Sequence, residues 1–151
     1  MGVLEKAAVA AFIASAKIAE ARDFYENTLG LTFISDDEYA LVLDANGTAL
    51  RIQKVAEVEP KQYTTLGWHV DDISAAVTAL VAKGIRFERY EFMQPDELGI
   101  VTFPGGARVA WFKDPDGKLS TKVVGLGNAP ILDGEKAAVS MQLTKQGAKI
   151  L

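Results

Sequence analysis

Residues 63–85 read YTTLGWHVDDISAAVTALVAKGI, a strand, a helix cap and an amphipathic helix in one unbroken run. Leu66, Trp68 and Val70 alternate with Gly67 and His69, the two-residue period of a strand that packs one face on a core. Asp72 follows at the N-cap position, where a carboxylate accepts from the free backbone N–H groups of a first helical turn. Ile73, Val77, Leu80 and Val81 then lie on one stripe at helical spacing, and Gly84 stops the helix.

The same plan occurs earlier. Residues 11–15 form a short apolar strand, Ile18, Ala21, Tyr25 and Leu29 recur at helical spacing, and Gly30 stands where Gly84 stands in the later copy. Ile18 and Ile73 match at an offset of 55 residues, Gly30 and Gly84 at 54. A duplicated strand–helix unit changes the expected architecture, because each copy must find its own partners for its apolar face.

Beyond the first helix the chain reads as a meander over residues 31–34, 39–43 and 48–55, with an acidic turn at Asp36-Asp37-Glu38 and a hairpin at Asn46-Gly47. The second half follows with strand-like residues 86–92, 99–103, 108–113 and 119–124, separated by the loop Gln94-Pro95-Asp96-Glu97 and the turns Pro104-Gly105-Gly106 and Asp114-Pro115-Asp116-Gly117. Both halves are read on one βαβββ plan, the second with one strand-like stretch more than the plan needs. The expected organisation is a first module over 9–55, a linker over 56–63, a second module over 64–124 and a C-terminal extension over 125–151, one domain of the α+β class.

Length and composition fit that picture. The 151 residues are 49% hydrophobic and 24% charged, enough for one core and a soluble surface. There is no cysteine, hence no disulfide framework and no thiolate chemistry, which suits a cytoplasmic setting. The net charge of −4 and the lack of any basic run argue against nucleic acid as a partner. Residues 7–16 imitate a short secretory h-region, but Glu5-Lys6 supplies no net positive charge before it, and cleavage after Ala16 would delete the first strand. No stretch is long enough for a membrane-spanning helix, and no membrane partner is expected.

Phe24-Tyr25 and Leu29-Gly30-Leu31 in the first half, Val70-Asp71-Asp72-Ile73 and Gly84 in the second, and Phe112-Lys113-Asp114-Pro115-Asp116-Gly117 before the last strand together resemble the vicinal oxygen chelate superfamily. That group contains glyoxalase I, extradiol dioxygenases, fosfomycin-resistance transferases and bleomycin-resistance proteins. The resemblance covers residues 9–124 and implies two βαβββ modules forming a cupped mixed sheet. Its metalloenzymes hold a divalent cation with four inward His, Glu or Gln side chains. Matched position by position, this sequence offers Ala10, Arg51, Thr65 and Thr121 (or Ser120), so no metal and no cofactor are expected: a methyl, a guanidinium and two hydroxyls do not make a transition-metal site.

Strand parity places other residues in the cup. Thr65 and His69 lie opposite Leu66, Trp68 and Val70; Arg51 and Gln53 lie opposite Leu50 and Ile52; Trp111 lies opposite Ala110 and Phe112. With Thr121, these are the expected ligand-binding residues. The reading is a metal-free protein that binds a small, partly aromatic molecule. The alternatives are a metal-dependent lyase or isomerase whose ligands lie elsewhere, and a metal-independent enzyme with His69 as general base. Acidic loops at Asp36-Asp37-Glu38 and Asp96-Glu97 suit the cationic drugs of bleomycin-type proteins, whereas Arg51 suits an anionic or carbonyl-rich ligand. A homodimer is expected, since paired modules in this superfamily commonly assemble about a two-fold axis. On this parity Trp111→Ala and Arg51→Ala weaken binding and spare the fold, while Trp68→Ala removes core and costs about 3–5 kcal/mol.

Overall fold

The structure, a computed structural model, describes residues 2–59, 63–118 and 123–128. The chain divides into two compact units, Met1–Val58 and Glu59–Leu151, each with its own four-stranded sheet.

In the first unit the strands are β1 (Ala10–Ser15), β2 (Thr32–Asp36), β3 (Ala40–Ala45) and β4 (Thr48–Lys54), with the helix α1 (Ile18–Arg22) after β1. The spatial order is β1-β4-β3-β2; β1 runs parallel to β4 and the other pairs are antiparallel. Asn46 and Gly47 adopt φ of 52° and 92°, the two positive values a tight β3–β4 hairpin needs. The expected long first helix is instead a short α-helix that widens into a π-helical turn over Asp23–Thr28, in which the Leu29 N–H reaches back to the Phe24 carbonyl at 2.9 Å. Ala21 and Tyr25 remain fully buried, so the stripe survives the change of pitch. Gly30, at φ 82°, lets the Leu31 N–H close on the Tyr25 carbonyl at 3.0 Å.

Strand β2 extends to Asp36, two residues past the expected end. The reason is local: the Asp37 carboxylate accepts from the Tyr39 and Ala40 N–H groups at 2.8 and 2.9 Å, which makes the turn there. Those two bonds hold the Asp37 carboxyl below its usual range, with the Ala40 bond the larger cause. Ile13, Leu41, Leu43, Leu50 and Ile52 share the buried face of the sheet; Phe12, Val42 and Arg51 stand in one row on the other.

The second unit repeats the plan with β5 (Thr64–His69), α2 (Ile73–Ala82), β6 (Val101–Thr102), β7 (Arg108–Lys113) and β8 (Val123–Asn128), in spatial order β5-β8-β7-β6 and with β5 parallel to β8. Helix α2 starts where the sequence says: Asp72, in an extended conformation, accepts from the Ala75 N–H at 3.0 Å. Ile73 and Val77 carry its buried stripe, and Gly84 ends it at φ 93°.

Three expectations change here. Residues 86–92 are not a strand. They form one bridge, Phe87 to Phe112, and then a 3-10 turn over Glu91–Met93 that ends at Gln94 in the left-handed region. The Asp96 carboxylate accepts from both the Leu98 and Ile100 N–H groups at 2.9 Å, which stabilises a loop rather than a ladder. With that segment removed from the count, each unit has the βαβββ order. Next, β8 runs to Asn128, so Gly125 and Gly127 belong to the sheet and not to a C-terminal extension; residues 119–122 and 129–151 lie outside the described residues. Finally, the two tryptophans exchange roles. Trp68, expected in the core, is half-buried, whereas Trp111 is fully buried with Val101 and Val109.

At the Asp114-Pro115-Asp116-Gly117 turn, Gly117 is required by space: a Cβ there would lie 2.6 Å from that of Lys113. Asp72→Ala removes one satisfied cap and is expected to cost about 1 kcal/mol of the second unit's stability, read as a lower urea midpoint at unchanged slope.

Candidate functional site

On β4, Arg51 and Gln53 point away from the buried face because Leu50 and Ile52 point into it. Arg51 is half-buried, level with Phe12 of β1 and Val42 of β3; Gln53 is exposed and level with Ala14 and Ala40. The Arg51 charge is also among the influences that lower the Asp37 carboxyl, behind the two backbone bonds.

The second unit holds Thr65, His69 and Trp111. Thr65 lies at a register shift between Thr64 and Leu66 on β5. His69 is exposed at the end of β5, level with Gly127 of β8 and Val109 of β7. Trp111 is level with Gly125 and, across it, with Gly67. His69 and Trp111 therefore share one face, and Phe112 takes the other, where it meets Phe87 edge-on at 5.4 Å. Thr121 and Ser120 lie outside the described residues.

Parity thus places Trp111 as expected, yet its ring is 0% exposed. What closes over it is a roof that local reasoning did not show. Tyr90 meets the indole edge-on at 5.9 Å, Phe103 does so at 6.4 Å, and Met93 packs beside them. The roof is tied to β7: the Glu88 N–H donates to the Trp111 carbonyl at 2.7 Å, and Lys113 pairs with Glu88 at 3.3 Å. Burial, and then the neighbouring Glu88 carboxylate, push the Tyr90 hydroxyl above its ordinary value. Tyr90 and Phe103 were legible only as aromatic residues in stretches read as strands, and Met93 only as an apolar residue between a strand and a loop.

The Trp111 Nε1 and the Thr64 Oγ1 are among the buried polar atoms without a hydrogen-bond partner. Ala10, Arg51 and Thr65 offer a methyl, a cation and a hydroxyl, and among the described residues no group of three or more His, Cys, Asp or Glu side chains is placed to hold an ion.

The family model described as the glyoxalase/bleomycin resistance protein/dioxygenase superfamily matches residues 8–119. The chain belongs to this superfamily. No curated protein matches it. Among solved structures, a member of the glyoxalase/bleomycin resistance protein/dioxygenase superfamily from Sphaerobacter thermophilus is 22% identical, with 84% of this chain and 100% of that one covered and a TM-score of 0.64. Lactoylglutathione lyase from Agrobacterium tumefaciens is 15% identical (83% and 96% covered, TM-score 0.62). The antibiotic binding protein TnmS3 of a Streptomyces species is 22% identical (83% and 98% covered, TM-score 0.60). At these identities the likeness concerns the fold of the glyoxalase/bleomycin-resistance superfamily, which serves both a lyase and a binding protein. Among the described residues no helix is long and apolar enough to cross a membrane.

Trp111→Ala is expected to destabilise by about 3–5 kcal/mol as the loss of a fully buried indole, and Trp68→Ala by distinctly less; paired denaturation curves read both. An unfolded chain ionises its tyrosines near pH 10. The folded chain holds the Tyr90 proton to higher pH, so stability falls as pH rises through about 10. Thermal unfolding of Tyr90→Phe against pH should show a shallower alkaline decline.

Proposed function

We propose that this chain is a metal-free binding protein for a small, partly aromatic molecule, acting from the cytoplasm as a homodimer. The observation that carries the reading is the donor set: where the metalloenzymes resembling this sequence need imidazoles and carboxylates, it has Ala10, Arg51 and Thr65. The sheets instead carry Arg51 and Gln53 in one unit and the exposed His69 in the other, with Trp111 on the same face as His69 beneath its roof, hydrogen-bonding groups rather than a ligand set. TnmS3, an antibiotic binding protein on the same fold, supports this reading by precedent.

The experiment is metal analysis and native mass spectrometry on protein purified without a polyhistidine tag. The expected result is no stoichiometric zinc, nickel, manganese or iron, together with a co-purifying small molecule; one equivalent of tightly bound metal contradicts the proposal. Arg51→Ala is expected to weaken retention of that molecule at least tenfold while leaving the thermal midpoint unchanged, because the side chain lies off the buried face. Sedimentation at micromolar concentration is expected to give a dimer, and a clean monomer would count against that part.

A further inference from the structure

An arginine carries several N–H donors in a flat fork and no acceptor, so a guanidinium drawn out of water meets a carboxylate, a carbonyl or an aromatic face. Arg22, the first unit's other arginine, follows that rule: it pairs with Glu26 at 2.9 Å and Asp36 at 3.8 Å, and its guanidinium lies 4.3 Å from the centre of the Phe33 ring. Arg51 does not. It is half-buried on β4, yet among the described residues it makes no hydrogen bond, ion pair or ring contact. Its charge is felt by the Asp37 carboxyl, behind the backbone bonds from Ala40 and Tyr39, without an ion pair.

The surroundings of Arg51 decide what can complete it. Level with it on β1 is Phe12, 58% exposed and likewise without a ring contact among the described residues; level with it on β3 is Val42. Adjacent strands lie about 4.8 Å apart, so a guanidinium and a ring in one row stand within the span of one small molecule. The carboxylate nearest along this face is that of Asp44, level with Ala49, and its oxygens accept from the Gly47 N–H at 3.2 and 3.3 Å in the β3–β4 hairpin. A cation without a counter-charge thus stands beside an open ring. Charge complementarity calls for an anion, the flat fork for a planar one, and the ring for an aromatic body.

We propose that the Phe12–Arg51–Val42 row seats a small aromatic carboxylate, whose carboxylate oxygens accept parallel N–H bonds from Arg51 and whose ring lies against Phe12. This rests on the small-molecule reading above and names the ligand class it takes.

The probes are 2-naphthoate, the uncharged 2-naphthamide of the same shape, and decahydro-2-naphthoate, the saturated acid of the same charge. Calorimetric titration of the full chain is expected to show 2-naphthoate bound about tenfold more tightly than either of the others. Arg51→Ala is expected to erase the preference for acid over amide, and Arg51→Lys, which keeps the charge and loses the fork, to retain only part of it. Phe12→Leu is expected to erase the preference for the aromatic over the saturated acid and to leave the preference for acid over amide. Equal binding of acid and amide by wild type, or an acid preference undiminished in Arg51→Ala, overturns the assigned ion pair. Should Arg51→Ala fail to fold, Arg51→Lys decides, and full 2-naphthoate affinity in that variant overturns the bidentate seat. Equal binding of the two acids by wild type, or an aromatic preference that survives Phe12→Leu, overturns the ring contact. Failure of all three probes to bind wild type overturns the ligand class, and the co-purification experiment still decides separately whether the protein binds small molecules.

Discussion

Each unit depends on a parallel pairing between its first and last strands. β1 meets β4 from Ala10 with Ala49 to Ser15 with Lys54, and β5 meets β8 from Thr64 with Val123 onward. A parallel pair cannot be closed by a tight turn, so everything between the two strands must be long enough to travel out and back, and a helix plus a meander does this. The pairing also puts the last strand inside the sheet, between the first strand and the hairpin. For that reason the composition of β8 matters more than its late place in the chain suggests: its glycines lie in the middle of a face and not at an edge.

Two faces follow from that sheet, and they obey different rules. The helix side is dry and apolar: in the first unit it holds Ile13, Leu41, Leu43, Leu50 and Ile52. The opposite side of each sheet is polar or mixed: it carries Arg51 and Gln53 in the first unit and, separately, His69 and Trp111 in the second. In the second unit this side is uneven, since a roof of Tyr90, Met93 and Phe103 seals Trp111 while Gly67 and His69 stay exposed. The Lys113–Glu88 pair and the backbone bond to the Trp111 carbonyl tie the base of that roof to β7, so its closure reflects hydrogen bonding as well as ring packing.

Membership of the superfamily bounds the chemistry without choosing it. The fold supplies a mixed sheet with one face free of helices, and the side chains on that face decide between holding a metal and holding a molecule directly. In this sequence the substitutions at the expected ligand positions are of different kinds, a methyl, a guanidinium and hydroxyls.

The features legible in the sequence are those set by contacts a few residues long. Asp72 caps α2 because its carboxylate reaches a backbone N–H three residues on, Asn46-Gly47 turns because both residues tolerate positive φ, and Leu50 and Ile52 are buried because alternation along one strand is enough to sort them from Arg51. Such signals carried the class, the duplication and the parity of Trp111. What needed the tertiary structure was every feature that depends on which distant segment lies alongside. Residues 86–92 have the composition of a strand but find only one bridge partner; β8 starts and ends where β5 and β7 can pair with it; and Trp111 is buried because Tyr90 and Phe103, separated from it by up to 21 residues of chain, fold over its face. Periodicity tells a side chain which way to point, and only packing decides what it meets there.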